Sequence, residues 1–240
     1  MKKRIWIISG IVILAAVVAG LIFLYSSLDN IIKTAIEKFG PRFTQTAVRV
    51  DSVKLILTDG ECKIKRFLLG NPKGFKTDYA FKVDVVDVGI EPASVTKKVL
   101  HIRKIIVLSP QINYESLSNA NNLETIQRNI EKSMGTEKKT DKKGEAEKSP
   151  EKKMIVDTLI LRDVKVTYTS ALVNADLTLP SIEMYNIGKD KGGVTGGELA
   201  MLITQTLSLR IGKAVGVSAL KNAAGSDKDG TTDLLNGIFK

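Results

Sequence analysis

Residues 159–168 read LILRDVKVTY, and this stretch decides the fold. Leu159 and Leu161 alternate with other residues, and the alternation resumes at Val164, Val166 and Tyr168 after a slip of one position. Alternation with a period of two is typical of a β-strand that buries one face. The slip would turn the second group of apolar residues to the opposite face, so it predicts a bulge or a bend within the strand.

The same pattern occurs in two earlier segments. One begins at Val48 and the other at Ile105, so the three copies start 57 and 54 residues apart (48 to 105 to 159). Because all three copies share the slip, we expect the sheet to bend or twist at one place. Pro110 follows the slip of the second copy, where a residue without an N–H fits a bulge or an edge better than a central strand.

Further alternating runs fill the intervals between these copies. They occur at 61–69, at 81–90, at 173–179 and from Ile182 onward. Turn signals separate several of them, for example Thr58-Asp59-Gly60. Together, the runs predict a long, curved and mostly antiparallel sheet with one apolar face.

Three segments show helical spacing of apolar residues instead. They are Leu28 to Phe39, which Gly40-Pro41 should end, Leu117 to Ser133, and Glu198 to Leu220. We expect the last of these to pack against the apolar face of the sheet. The predicted fold class is therefore α+β, with an N-terminal transmembrane helix, a groove-like sheet and covering helices near the C-terminus.

The N-terminus has the features of a membrane anchor. Lys2, Lys3 and Arg4 precede an apolar run from Ile5 to Leu24, which is long enough to cross a bilayer as a helix. Residues that represent the anchor are Ile5, Trp6, Leu14, Leu21 and Leu24. A cleavable signal peptide is the alternative, but its apolar stretch is usually shorter, and the small residues here lie inside the run.

The basic residues on one side of the anchor predict its orientation. They should remain in the cytoplasm, which places the bulk of the chain in the periplasm of a bacterial inner membrane with a single pass. The predicted organisation is a stub and anchor at 1–27, a β-rich domain at 28–190 and a helical tail at 191–240. Residues 135–153 are predicted to form a disordered charged loop, because Glu137 to Lys153 contains almost no apolar residue.

The formal net charge is +10, and three of these charges come from the first four residues. Export and the absence of a basic motif interleaved with aromatics argue against a nucleic-acid partner. Lysines at alternating strand positions favour a solvated face, and attraction to lipid headgroups is the functional alternative.

Residues suited to catalysis are scarce. The chain has one cysteine, Cys62, and one histidine, His101, and no known catalytic, metal or phosphate-binding motif. Cys62 stands in an alternating run, where a small buried residue is the expected interpretation. We predict no enzymatic activity, no catalytic residue, no metal and no cofactor.

The apolar face of the sheet is the main functional candidate. An exposed apolar face usually marks a binding site, and acyl chains need no specific polar contact. A packed core closed by the C-terminal helix is an equally weighted alternative. The candidate groove residues are Val48, Val50, Val53, Leu55, Leu57, Phe81, Val83, Val85, Ile105, Val107, Ile112, Tyr114, Leu159, Leu161, Val164, Val166, Tyr168, Leu177 and Leu179.

An N-terminal anchor followed by such repeated strands resembles the AsmA-like family of bacterial envelope proteins. The resemblance is carried by Ile155 to Tyr168 and by Ile102 to Tyr114, and it covers Met1 to about Met184. It implies an open β-groove and a role in moving phospholipid between membranes or in outer-membrane homeostasis. Membrane lipid, together with an envelope protein, would be the partners.

The chain is shorter than the large members of that family, which span the periplasm. We therefore expect a lipid-binding accessory to phospholipid transport rather than a complete bridge. The alternative function is a non-enzymatic envelope scaffold or interaction protein with a closed core.

Overall fold

The computed structural model describes residues 28–140, 152–171 and 174–223. The predicted anchor residues Ile5, Trp6, Leu14, Leu21 and Leu24 lie outside these ranges, as do Val173 and the last part of the predicted tail, 224–240. Within the described ranges, every helix is too short or too polar to cross a membrane.

Three helices and ten strands make up the described chain. The helices are α1 (28–44), α2 (Asn122–Thr140) and α3 (Gly196–Ala223). The strands are β1 (Val48–Arg49), β2 (Ser52–Ile56), β3 (Glu61–Leu69), β4 (Phe81–Ile90), β5 (Val99–Leu108), β6 (Gln111–Glu115), β7 (Lys153–Arg162), β8 (Val164–Thr169), β9 (Asn174–Leu179) and β10 (Ile182–Ile187). Two 3₁₀ turns, Pro92–Ser94 and Lys189–Lys191, follow β4 and β10.

All ten strands belong to one sheet, and most of them join end to end into longer strands. The six long strands, in spatial order, are β1–β2, β3, β4, β5–β6, β7–β8 and β9–β10. Only β5 with β7 and β6 with β8 are parallel, because α2 returns the chain to the other end of the sheet before β7 begins. The mixed α+β class and the large, curved, unclosed and mostly antiparallel sheet are confirmed.

The shared slip corresponds to a bend that crosses the whole sheet. Asp51 lies between β1 and β2, Ser109 between β5 and β6, and Asp163 between β7 and β8. Ser109 and Asp163 have φ of 49° and 51°, and so does Arg66 of β3, at 49°. At each break two successive side chains point outward, so the apolar residues on both sides of it remain on the same inner face. The predicted common bend is confirmed.

A second break, which the sequence pattern did not reveal, lies nearer one end of the sheet. The pairing of β7 with β10 omits Asp157 and Asn186, and Asn186 has φ of 54°. The pairing of β4 with β5 shifts register at the neighbouring position, between Gly89 and Ile90. As a result, Ile102 and Val156 return to the inner face, where both are buried.

Several predicted boundaries differ from the structure. The C-terminal helix, predicted from Glu198 to Leu220, spans Gly196–Ala223, and β7 begins at Lys153, the last residue of the predicted charged loop. The predicted end of α1 at Gly40-Pro41 is wrong, because α1 continues to residue 44. A Cβ at position 40 would lie 2.8 Å from Val48 Cγ2, so Gly40 serves close packing on β1 rather than helix termination. Helix α2 begins at Asn122 rather than Leu117 and continues to Thr140, into the predicted charged loop, since Glu and Lys are good helix formers.

Helix α1 protects the edge strand of the sheet. Lys33 donates to the carbonyl oxygens of Val50 and Asp51 at 2.7 and 2.8 Å, and Glu37 accepts from the N–H of Val50 at 3.0 Å. Asp29 accepts from the N–H of Leu55 at 2.7 Å. Edge strands with unpaired backbone groups invite unwanted pairing, and these contacts occupy that edge.

Candidate functional site: the apolar inner face of the bent sheet

The inner face consists of rows of side chains that cross the sheet from strand to strand. Paired residues share a face, so the rows follow from the register. The upper row, on the β6 side of the bend, consists of Val48, Leu69, Phe81, Ile112, Val166 and Leu177. The central row, on the β5 side of the bend, consists of Val53, Ile64, Val86, Val107, Leu161 and Ile182.

Two further rows lie beyond the central row, toward what we call the lower end of the sheet. The third row consists of Leu55, Cys62, Val88, Ile105, Leu159 and Met184. The fourth consists of Ile90, Ile102, Val156 and Ile187. Every member of these four rows is apolar, although the contributing residues are separated by up to about half of the chain.

Helices α2 and α3 cover the inner face above the bend. Leu123, Ile126 and Ile130 of α2 are fully buried in the main core cluster, and so is Ile211 of α3. Here the helix predicted to pack against the sheet does so. A Cβ on Gly197, near the start of α3, would lie 3.1 Å from Met134 Sδ of α2, so this glycine permits close packing of the two helices.

Below the bend, the cover is incomplete. Six inner-face side chains of β2 to β5 are partly exposed there, whereas Val53, Cys62, Ile102 and Val107 beside them are buried. Ile32 and Ile36 of α1 pack against this region, and Thr206 of α3 reaches Met184 at 3.7 Å. We call the partly exposed set the apolar window: Leu55, Ile64, Val86, Val88, Ile90 and Ile105.

Most of the candidate groove residues predicted from sequence lie on the inner face. Those buried in the two core clusters are Val48, Val50, Val53, Val83, Val107, Ile112, Tyr114, Leu159, Leu161, Val164, Val166 and Leu179. Those packed against the clusters and partly exposed are Leu55, Phe81, Ile105, Tyr168 and Leu177. Tyr114 stacks on Tyr168 with ring centroids 5.8 Å apart.

Two of the candidates do not join this face. Val85 pairs with the exposed Lys65 and belongs to neither cluster. The pattern places the slip of β4 between Val85 and Val86, but in the structure Asp84 and Val85 are the two successive residues that point outward. Leu57 follows the end of β2, in the turn to β3. Conversely, Val86, Val88 and Ile90 belong to the apolar window although the sequence analysis did not select them as groove residues. Their alternation after the slip could have identified them.

Cys62 is a packing residue of the third row. Its side chain is 6% exposed, and burial raises the pKa of the thiol to about 11, with a smaller contribution from Asp29. A thiol that remains protonated at neutral pH is a poor nucleophile. This agrees with the interpretation of Cys62 as a small buried residue.

His101 pairs with Asp157 on the outer face of the sheet. Its Nε2 lies 2.8 Å from Asp157 Oδ2, and both side chains are more than one-third exposed. This pair lies on the surface, whereas Cys62 is buried on the inner face. No group of His, Cys, Asp and Glu side chains that could hold a metal ion occurs among the described residues.

Buried polar groups at the upper end of the sheet are satisfied by one another. Asn122, which is 0% exposed, donates to Asn71 Oδ1 and to the carbonyl of Asn113 and accepts from the N–H of Glu115 at 3.1 Å. The Glu115 carboxylate accepts from the N–H groups of Lys76 and Thr77. These bonds tie loop 70–80 and the start of α2 to β6, so their role is structural.

Comparison with known proteins gives no assignment. No family model, curated protein or solved structure matches the chain.

Proposed function

We propose that the chain is a membrane-anchored lipid-binding protein of the AsmA-like type, which accommodates acyl chains on the inner face of its sheet. It would be held in a bacterial inner membrane by residues 1–27, with the bulk of the chain in the periplasm. Its role would be accessory to phospholipid transport or outer-membrane homeostasis. The observation that carries this proposal is the apolar window.

The dimensions of the window suit a single acyl chain. It extends over four strands, β2 to β5, and adjacent strands lie about 4.8 Å apart, which gives a width of about 14 Å. Its three rows are two residues apart along the strands, so it is about 13 Å long in that direction. The hydrocarbon core of one leaflet is about 15 Å thick, which is similar to these lengths.

The chemistry of the window is also suitable. All six of its side chains are apolar, and the neighbouring Cys62 is held in its uncharged form by burial. An acyl chain gains about 0.8 kcal/mol for each methylene group that it buries. Burial of two methylene groups therefore favours binding about 15-fold, and of four about 200-fold.

Site-specific photocrosslinking tests the proposal in membranes. A photoreactive amino acid replaces Ile105 or Ile106 in the full chain. These residues are adjacent in β5 and are both partly exposed, but Ile105 pairs with Val88 on the inner face and Ile106 with Asp87 on the outer face. We expect phospholipid adducts at position 105 in at least about tenfold excess over position 106.

The same comparison at Val88 and Asp87 gives an independent pair on β4. Equal adduct yields on the two faces, or none at positions 105 and 88, would refute acyl binding at the window. Lipid adducts that form only when the photoreactive residue is in the predicted anchor would also refute acyl binding at the window.

A closed envelope scaffold is the second candidate. It is favoured by the buried side chains of the upper half of the inner face, such as Ile112, Val164 and Val166, and by Leu202 and Leu209, which are 36% and 64% exposed on α3. This function predicts protein adducts from a photoreactive residue at position 209 and no lipid adducts at position 105.

A further inference from the structure

Six lysines from three separate segments converge at the lower end of the sheet. We call them the lysine patch: Lys97, Lys98, Lys152, Lys153, Lys189 and Lys191. All six are exposed. Lys97 and Lys98 precede β5, Lys152 and Lys153 are at the start of β7, and the other two belong to the 3₁₀ turn after β10.

Backbone contacts hold these segments together. Lys153 pairs with Val99, which directly follows Lys98, and the Lys152 ammonium donates to the carbonyl oxygen of Val95. Met154 and Val194 exchange two hydrogen bonds of 2.8 Å, which fixes the turn after β10 beside the start of β7. The three segments are therefore neighbours in the fold although they are distant in sequence.

The patch carries an excess of positive charge. Within its segments, 91–98, 152–153 and 188–193, the acidic residues are Glu91 and Asp190, which leaves an excess of four positive charges. Loop 70–80, at the opposite end of the sheet, carries only Lys73, Lys76 and Asp78. The three lysine-bearing segments therefore carry a larger excess of positive charge than this loop.

The lower end is also where the described chain begins. Asp29, the second residue of α1, accepts a hydrogen bond from Leu55, near the end of β2. Helix α1 then runs toward the upper end, where Asn129 of α2 donates to the carbonyl of Thr44. A membrane anchor at residues 1–27 would therefore hold the lower end close to the bilayer.

We propose that the lysine patch docks the lower end of the sheet on an anionic phospholipid bilayer, so that the apolar window opens beside the headgroups. This inference rests on the proposed membrane anchoring. Each basic residue near an anionic surface strengthens attachment about fivefold, and the attraction decays within a Debye length of about 8 Å at physiological salt. Only the end of the sheet that faces the membrane can gain from it.

Hydrogen–deuterium exchange of the full chain in nanodiscs tests this docking. One set of nanodiscs contains phosphatidylcholine alone, and in the other about one-third of the lipid is phosphatidylglycerol. We expect slower exchange of the amides at 95–99 and 188–193 in the anionic nanodiscs, and no difference in loop 70–80. At about 1 M salt, where the Debye length is about 3 Å, the difference should disappear.

A pair of double variants provides the matched test. Lys97→Gln with Lys98→Gln should reduce the docking equilibrium about 25-fold, which is fivefold for each lysine. Lys73→Gln with Lys76→Gln removes the same number of charges at the opposite end and should leave it unchanged. Circular dichroism checks that all variants retain the fold.

Equal exchange at 95–99 in both kinds of nanodisc would overturn the proposal. Equal effects of the two double variants would overturn it as well. Lipid adducts at position 105 report acyl binding separately. If adducts form there but exchange is not slower in the anionic nanodiscs, the docking is refuted and acyl binding is not. If exchange is slower in the anionic nanodiscs but no lipid adduct forms at position 105, the docking is supported and acyl binding is refuted.

Discussion

The bend of the sheet can be tested at a single backbone position, Asp163. This residue joins β7 to β8 with φ of 51°, and its side chain is exposed. For an L-residue, the left-handed conformation costs about 1–2 kcal/mol, and Asp and Asn tolerate it best because their short polar side chains bond locally. Glycine avoids that cost but loses about 0.5–1 kcal/mol more in conformational entropy on folding.

These magnitudes predict an order of stability for variants at position 163. Asp163→Val should lower the free energy of unfolding by about 1–2 kcal/mol, because a β-branched side chain fits this conformation poorly. Asp163→Asn should leave the free energy of unfolding unchanged. Asp163→Gly should change it by no more than about 0.5 kcal/mol, because relief of the left-handed conformation is offset by the greater loss of backbone entropy on folding.

Lys165→Val is the matched control for this series. Lys165 is exposed on β8, two residues after the bend, where a β-branched residue is well suited to a strand. Its replacement should change the stability by no more than about 0.5 kcal/mol. Urea unfolding of the full chain in detergent micelles, followed by far-ultraviolet circular dichroism, measures both. If Asp163→Val and Lys165→Val had the same stability, the left-handed conformation at the bend would be refuted.

Two further predictions concern Cys62 and the edge cover by α1. Burial raises the pKa of the Cys62 thiol from 9.0 to about 11. Cys62 should therefore react with a thiol reagent at pH 8 roughly 100-fold more slowly in the folded protein than in the unfolded chain, and a difference below about tenfold would contradict its burial. Asp29→Ala and Glu37→Ala should each lower the stability by about 1 kcal/mol and accelerate amide exchange at Leu55 and Val50 respectively. Lys38→Ala, on the exposed side of α1, is the control, and equal exchange in all three variants would show that α1 does not protect the edge.

Much of the sheet could be predicted because its pattern is local. Alternation with a period of two identified the strands, and the slip in three copies located the bend, since a one-residue shift of the buried face requires a bulge. The second break, at Asp157 of β7, was missed because Asp157 and Thr158 interrupt the apolar pattern at that point. The end of α1 was placed too early because Gly40 serves packing against Val48, a contact that the local sequence does not show.

The candidate site was only partly predictable. Sequence located the apolar residues of the inner face but could not distinguish those that helices cover from those in the apolar window. Val85 and Val86 are adjacent and chemically identical, and the register of β4 with β3 decides which of them faces inward. The partial exposure of Val88 and Ile105 depends on which elements pack over them, and the local sequence does not show those contacts.

The sequence by itself determined where most of the strands lie, the bend that its three copies share and the apolar side of most strands. These properties follow from steric preferences and periodicities that extend over a few residues. Only the tertiary structure decided that β5 and β7 are parallel neighbours, that three apolar rows cross all six long strands and that six lysines lie at one end of the sheet. Such arrangements involve residues as much as 129 positions apart (48 to 177), and they depend on how the whole chain buries its apolar surface rather than on any local pattern.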